Sequence, residues 1–173
     1  MIRVAVLDRH PAVRAGLAAM LRAAPGFAFA GAVGRASDLG GLVYRTDPDV
    51  VVVDDPTARV EGRARVLLYA ARPTPSLVLA AQVAGWHGVV DKADDALLDA
   101  VREVHRGALV FPAVDWHERA DAARRLDPRD RPIFVMRLAG TSPRDIAAVV
   151  GLGVAALNAR VAAIVGQLVP VAA

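Results

Sequence analysis

Three hydrophobic runs in the chain end in charged residues of the types that a phosphate-handling pocket uses. The first run ends at Asp8 and Arg9, the second at Asp54 and Asp55, and the third leads to Lys92. Two acids and a lysine brought together form a candidate site for phosphoryl chemistry, in which a metal ion commonly neutralises charge. Arg9 stands where a metal-dependent version of this pocket would carry a further acid.

The runs that deliver these residues are predicted to be strands of a parallel sheet. Continuous β-branched sequence, such as Val50–Val53, is typical of strands buried on both faces. Strand and helix patterns alternate along the chain, which predicts a doubly wound five-stranded parallel α/β sheet. Function in such sheets collects at the carboxyl ends of the strands. The predicted strands cover residues 2–7, 27–33, 50–53, 65–70 and 87–91.

Helix starts and ends are predicted from capping residues. Pro11 suits the first turn of the first helix, and Ser37 or Asp38 can cap a second helix that runs to about Tyr44. Asp94 is predicted to cap a helix that closes at Gly107. The ten residues between Asp54 and Arg65 are too few for an ordinary helical crossover, so a loop or a different local topology is expected there.

The C-terminal part has the layout of a helix-turn-helix unit. Pro132 suits the first turn of a helix that runs to Leu138, and Thr141 or Ser142 can cap the next helix. A glycine-containing turn at 151–153 precedes a third helix from Val154 to about Leu168. The predicted organisation is therefore a sheet domain at 1–110, a partly helical linker at 111–127 and a small all-α domain at 128–173.

Composition narrows the class of protein. The net charge is +3, and the basic excess lies in the last third of the chain, which favours a polyanion partner or a solvated face there. There is no cysteine, and the histidines show no metal-ligand spacing, so neither a metal nor another cofactor is predicted. No apolar run is long enough to span a membrane, and no signal peptide is recognised, so a cytoplasmic location is expected. No Ser-His-Asp order suggests hydrolysis, and the chain is not expected to be an enzyme.

The chain resembles response regulators of the NarL/FixJ subfamily along nearly its whole length. The resemblance implies a receiver domain followed by a LuxR-type helix-turn-helix, within a two-component system, and places the phosphoacceptor at Asp54 and the family's lysine at Lys92. It depends on segments that match the subfamily in order, namely Ile2–Leu17, Pro48–Asp54, Ala84–Lys92, Leu126–Arg131 and Gly140–Ala147.

Several positions depart from the pattern that this resemblance implies. The family holds Mg²⁺ with two adjacent acids and the phosphoacceptor, whereas here Arg9 follows Asp8. Tyr69 occupies the position of the switch Thr or Ser, and Val89 that of the switch aromatic residue. The helix after the phosphoacceptor is not expected, and neither is the family's fourth C-terminal helix, because the sequence continues only to Ala173.

Three interpretations of the pocket follow. Asp8, Asp54 and Lys92 can be remnants that form a structural ion-pair network, or Asp54 can still accept a phosphoryl group. Alternatively, Arg9 can pair with Asp54 or Asp8 and replace the metal cation permanently. The complete predicted pocket consists of Asp8, Arg9, Asp54, Asp55, Tyr69 and Lys92.

The predicted recognition helix is unusually apolar. Asn158 and Gln167 could read adenine and Arg160 could read guanine, but the same helix could instead be a packing or dimerisation surface. Phosphate contacts would fall to Arg129, Arg131, Arg137 and Arg144.

The predicted function is phosphorylation-independent transcription control through promoter DNA. The receiver-like domain would then form a homodimer, with its Ala/Leu/Val-rich first and last helices as the expected surface, or sense a small ligand. The alternative is an adaptor that docks on another regulator without binding DNA itself.

Overall fold

The computed structural model describes residues 1–169 and confirms the five-stranded parallel sheet, with strand order β2-β1-β3-β4-β5. The strands are β1 Ile2–Leu7, β2 Phe27–Val33, β3 Val50–Val53, β4 Arg65–Ala70 and β5 Gly88–Asp91. The helices are α1 Pro11–Ala23, α2 Ala36–Thr46, α3 Pro75–Ala84, α4 Leu97–Arg106, α5 Trp116–Arg125, α6 Arg131–Leu138, α7 Pro143–Val150 and α8 Val154–Leu168.

The strand register brings the charged residues together at one end of the sheet. Leu7 of β1 pairs with Val53 of β3, so the residues that follow them, Asp8 and Asp54, emerge side by side. On the other side of β4, Ala70 pairs with Asp91, and the amide of Lys92 donates to the Ala70 carbonyl at 2.7 Å. All five strands are parallel, so their carboxyl ends share this edge.

Two predicted helix caps are wrong. The α4 helix begins after Ala96, because the carboxylate of Asp91 accepts the amide of Ala93 at 2.8 Å and a turn there delays the helix past Asp94. The N-cap of α2 is Arg35. Ser37 and Asp38 lie inside its first turn, where the Ser37 hydroxyl donates to the Asp38 carboxylate at 3.3 Å.

The short crossover after Asp54 is a loop, which was one of the two predicted alternatives, the other being a different local topology. No helix lies between Val53 and Arg65, a segment that the structure describes in full. Asp55 organises its start, because its carboxylate accepts the amide and the hydroxyl of Thr57 at 2.8 Å and 2.6 Å.

The chain divides into two compact units. The first, called here the sheet unit, comprises Met1–Arg72 and His87–Phe111, and the second, the helical unit, comprises Pro73–Trp86 and the chain from Pro112 onward. Helix α3 therefore groups with the C-terminal helices, and within that unit Arg137 Nε donates to the carbonyl of Val83 at 2.8 Å. The sequence offers no local sign of this grouping, because α3 lies between β4 and β5 along the chain.

The residues predicted as a linker contain a well-capped helix. Asp115 and Glu118 form a reciprocal capping box at the start of α5, in which each carboxylate accepts the other residue's amide. The domain boundaries at 110 and 128 stay predictions, and residues 170–173 of the predicted C-terminal domain lie outside the described residues.

The apolar residues of α1 and α4 are used in the core of the sheet unit. Leu17, Leu21, Leu97, Val101 and Val104 belong to one buried cluster with residues of the strands. The Ala/Leu/Val content of these helices therefore gives no support to a dimer surface, because burial against the sheet accounts for it.

A search of the described helices finds no single one that is long and apolar enough to cross a membrane, although α7 and α8, bent by 97°, meet the length and composition criteria as a pair.

Candidate functional site

The centre of the predicted pocket is an ion pair between Asp8 and Lys92. Lys92 Nζ lies 2.5 Å from Asp8 Oδ2, and the Asp8 side chain is only 2% exposed. The other oxygen, Oδ1, accepts the backbone amide of His10 at 2.8 Å and lies 3.1 Å from its Nδ1. Burial alone would raise the pKa of Asp8, but the bonds from Lys92 and His10 and the Lys92 charge hold that pKa below its ordinary value.

Arg9 contributes its backbone to the pocket. Its amide donates to Asp54 Oδ2 at 3.0 Å, while its guanidinium forms no hydrogen bond or ion pair with any residue of 1–169. Burial, together with the negative charge of Asp8, raises the pKa of Asp54 in spite of the Arg9 amide. The cation that neutralises Asp8 is thus Lys92, and the hypothesis of an Arg9 ion pair finds no contact to support it.

The remaining predicted pocket residues divide between the site and its borders. Lys92 Nζ lies 5.4 Å from the centre of the Tyr69 ring, and the half-buried ring packs against the core of the sheet unit. Burial raises the pKa of the Tyr69 hydroxyl, with the nearby acids adding to the effect. The Asp55 carboxylate accepts hydrogen bonds from Thr57 of the crossover loop and has no bond to another predicted pocket residue of the described chain.

The donor set does not fit Mg²⁺, the metal that the receiver resemblance implies. Ligand atoms of Asp8, His10 and Asp54 lie within 4.8 Å of one another, so a cation has candidate donors. However, Mg²⁺ prefers several oxygen ligands in octahedral geometry, whereas this set offers two carboxylates and an imidazole, and Lys92 is already paired with Asp8. In the sequence, Arg9 takes the position at which the receiver resemblance implies a further acid.

The C-terminal helices have helix-turn-helix geometry. The Ser142 hydroxyl accepts the amide of Asp145 at 3.2 Å and so caps α7, with Pro143 at the first helical position. Gly151 ends α7 in the left-handed conformation, and α8 follows at 97°. This angle lies within the range expected of the motif.

Three of the predicted DNA-binding arginines make hydrogen bonds within the protein. Arg160 Nε donates to Asp130 Oδ1 at 2.7 Å, and the Asp130 side chain is 4% exposed. Arg137 is half-buried and its Nε donates to the carbonyl of Val83, and burial lowers its pKa. Arg131 donates to the carbonyls of Leu126 and Arg124, each at 3.3 Å, at the end of α5.

The other predicted DNA contacts are exposed. Arg129 and Arg144 are exposed, and neither side chain has a hydrogen-bond or ion-pair partner within the described chain. Asn158 and Gln167 are also exposed, but nine residues of α-helix turn about two and a half times, which places them on opposite sides of α8. They cannot both face one groove.

Comparisons with known proteins support the fold and point to a functional class. No protein-family model matches the chain. The probable transcriptional regulatory protein SgaR of Hyphomicrobium methylovorum is 28% identical to this chain, and the match covers 87% of this chain and 79% of SgaR. A LuxR-family two-component response regulator from Aurantimonas sp. SI85-9A1 is 27% identical with a TM-score of 0.57, over 62% of this chain and 87% of that one.

One solved structure extends the likeness to nearly the whole chain. RcsB of Salmonella enterica serovar Typhimurium, bound to promoter rprA in the presence of phosphomimetic BeF3-, matches with a TM-score of 0.58 and 16% identity. The match covers 97% of this chain and 98% of that one. The chain therefore has the fold of a receiver domain followed by a small helical domain.

Three contributing residues were missed by sequence reasoning. His10 binds Asp8, Arg14 Nη1 donates to the Asp8 carbonyl at 2.7 Å, and Asp130 binds Arg160. Only His10 carried a signal, because a carboxylate commonly accepts the amide two residues later in the chain. The Asp130–Arg160 pair joins residues thirty apart, and no local pattern predicts it.

Proposed function

We propose that the protein is a DNA-binding transcription regulator of the response-regulator type whose receiver-like pocket works without phosphorylation. The observation that carries this proposal is Arg9, which takes the position of the third acid and offers Asp54 its backbone amide, at 3.0 Å, instead of a carboxylate. Phosphoryl transfer depends on positioning and on a metal that neutralises charge. This pocket has Arg9 in place of the third acid, and His10 and Lys92 donate to the two Asp8 oxygens. Such an arrangement favours neither a bound metal nor the positioning of a phosphoryl group.

DNA binding is proposed for the helical unit. The 97° angle between α7 and α8 suits a helix-turn-helix. The similar protein SgaR is described as a probable transcriptional regulatory protein, and the similar structure of RcsB is bound to a promoter. Arg129 and Arg144 offer two exposed guanidinium groups to the phosphate backbone. With so few phosphate contacts, affinity should be modest and should fall early as salt rises.

The test is binding of the full chain to duplex DNA at low salt, measured by fluorescence anisotropy over a salt series. Arg129→Ala and Arg144→Ala should each weaken binding and reduce the slope of log affinity against log salt by about 1. Arg63→Ala, which removes an exposed arginine of the sheet unit, is the matched charge control and should leave the slope unchanged. Failure of the wild type to bind any duplex at low salt would refute the proposal.

A second candidate is the adaptor that docks on another regulator. The favouring observation is that α8 exposes mostly alanine and valine, while Arg137 and Arg160 are occupied within the helical unit. A hydrophobic helix face without basic residues suits a protein partner better than a polyanion. The same binding experiment separates the candidates, because the adaptor would bind no DNA at any salt concentration.

Homodimerisation through the receiver-like domain, a possible small ligand and action in the cytoplasm remain part of the proposal, as do the domain boundaries at 110 and 128. Dimerisation is tested by analytical ultracentrifugation of the full chain with and without duplex DNA. A dimer should appear in the free protein at micromolar concentration, and a strict monomer in both states would contradict it.

A further inference from the structure

The exposed face of α8 around Asn158 carries one hydrogen-bonding side chain. Between Val154 and Ala162 the polar residues are Asn158 and Arg160. Arg160 lies about 200° around the helix from Asn158 and is bonded to Asp130 at 2.7 Å. Arg160 therefore points away from the face that Asn158 occupies, and Asn158 alone is placed to read a base edge there.

Methyl groups surround Asn158 on this face. Ala155 and Ala162 lie three residues before and four residues after it, and are its direct neighbours on the helix surface. Ala159 adjoins them, and all four residues are exposed. The surface thus presents an amide between alanine methyl groups, with no arginine or lysine within it.

We infer that this face selects A·T base pairs in the major groove, an inference that rests on the proposed DNA-binding function. The first turns of the second helix of the motif contact base edges. Asparagine makes two hydrogen bonds with adenine, and alanine makes apolar contact with the thymine methyl. Guanine presents two acceptors that arginine or lysine satisfies best, and cytosine has no methyl, so a G·C pair loses both kinds of contact.

Charge placement supports DNA as the occupant of this face. Arg144, at the second position of α7, and Arg129, just before α6, are exposed and have no side-chain partner in the described chain. Both belong to the same unit as α8. Guanidinium groups in the same unit as an uncharged reading surface suit a duplex, in which phosphates flank the base edges.

The experiment selects duplexes from a random library with the full chain at low salt and then measures affinity for the recovered site. Recovered sites should contain adjacent A·T pairs. Replacing a contacted thymine by uracil removes only the methyl group and should weaken binding about three- to fourfold. Asn158→Ala should reduce the preference for adenine over guanine by about 5- to 150-fold.

Arg63→Ala is the control, because it removes an exposed side chain of the sheet unit, outside the helix-turn-helix. It should change neither affinity nor base preference. Recovery of G·C-rich sites, or sites indifferent to uracil, would overturn the inference and leave the proposed function intact. If no duplex is retained at low salt, the proposed function itself fails.

Discussion

Lys92 Nζ and Asp8 Oδ2 are 2.5 Å apart, the same separation as between Arg63 and Asp47, yet the two ion pairs lie in opposite environments. Asp8 is 2% exposed, whereas the side chains of Arg63 and Asp47 are 82% and 66% exposed. Water screens an exposed pair and leaves it little net energy. Loss of one partner from a buried pair leaves a charge without compensation, which is far more costly.

Removal of the Lys92 amine should therefore destabilise the protein strongly. Lys92→Met should lower the free energy of unfolding by about 3 kcal/mol in urea denaturation, because Asp8 is left charged and buried. Arg63→Ala should cost less than about 1 kcal/mol. Adding Asp8→Asn to Lys92→Met should recover part of the loss, and equal effects of the Lys92 and Arg63 substitutions would contradict this assignment.

The half-buried His87 should make stability depend on pH. Its Nδ1 accepts the amide of Val66 at 3.0 Å, and burial, followed by the charge of Arg65, lowers its pKa from 6.5. Because the folded state favours the neutral ring, His87 contributes its full stabilisation of the fold above pH 6.5. That stabilisation is lost as the pH falls through the lowered pKa of the folded state. Thermal denaturation at pH 7.5 and at pH 5.5 should show this loss.

The exposed His105 provides the control for that experiment. His105→Gln should retain the wild-type pH dependence in this range, and His87→Gln should flatten it, because no imidazole remains there to be protonated. An unchanged profile in the His87 variant would show that another group causes the dependence.

Arg160 is expected to act on stability rather than on base selection. Arg160→Ala removes the ionic hydrogen bond of the buried Asp130 and should lower the free energy of unfolding by about 1.5–3 kcal/mol. Arg144→Ala should leave stability within about 0.5 kcal/mol, because Arg144 is exposed. Chemical denaturation of both variants checks this, and a stable Arg160→Ala protein with altered base preference would contradict it.

Two glycines of the helical unit should respond in opposite directions to alanine. Gly85 has φ of +82°, and a Cβ there would collide with the guanidinium of Arg137, so Gly85→Ala should cost about 2 kcal/mol. Gly166 lies within α8 with open space around it, and Gly166→Ala should stabilise by up to about 1 kcal/mol. Melting temperatures of the two variants are the measurement, and shifts of the same sign would contradict it.

The elements were predictable where local pattern alone decides them. Val50–Val53 is a buried strand because its β-branched run leaves no polar face, and Pro143 and Gly151 begin and end α7 through their fixed backbone preferences. The parallel register then follows, and it brings Asp8, Asp54 and Lys92 to one edge.

Competition between groups distant in sequence was not predictable. Lys92 is the cation that pairs with Asp8, while Arg9 donates only its amide, to Asp54. No local sequence pattern indicates which of the two cations pairs with the acid. Arg137 and Arg160 look like phosphate and base contacts, but Val83 and Asp130 bind them. A local contact decided the cap of α4, since the Asp91 carboxylate accepts the amide of Ala93 in the turn that excludes Asp94.

Treatment of the full chain with acetyl phosphate and Mg²⁺, followed by intact mass spectrometry and DNA-binding measurements, tests the central claim most directly. The Asp8–Lys92 pair and the Arg9 position predict no aspartyl-phosphate on Asp54 and an unchanged affinity for duplex DNA. Stoichiometric addition of one phosphoryl group, lost in Asp54→Asn and accompanied by a change in DNA affinity, would contradict the account.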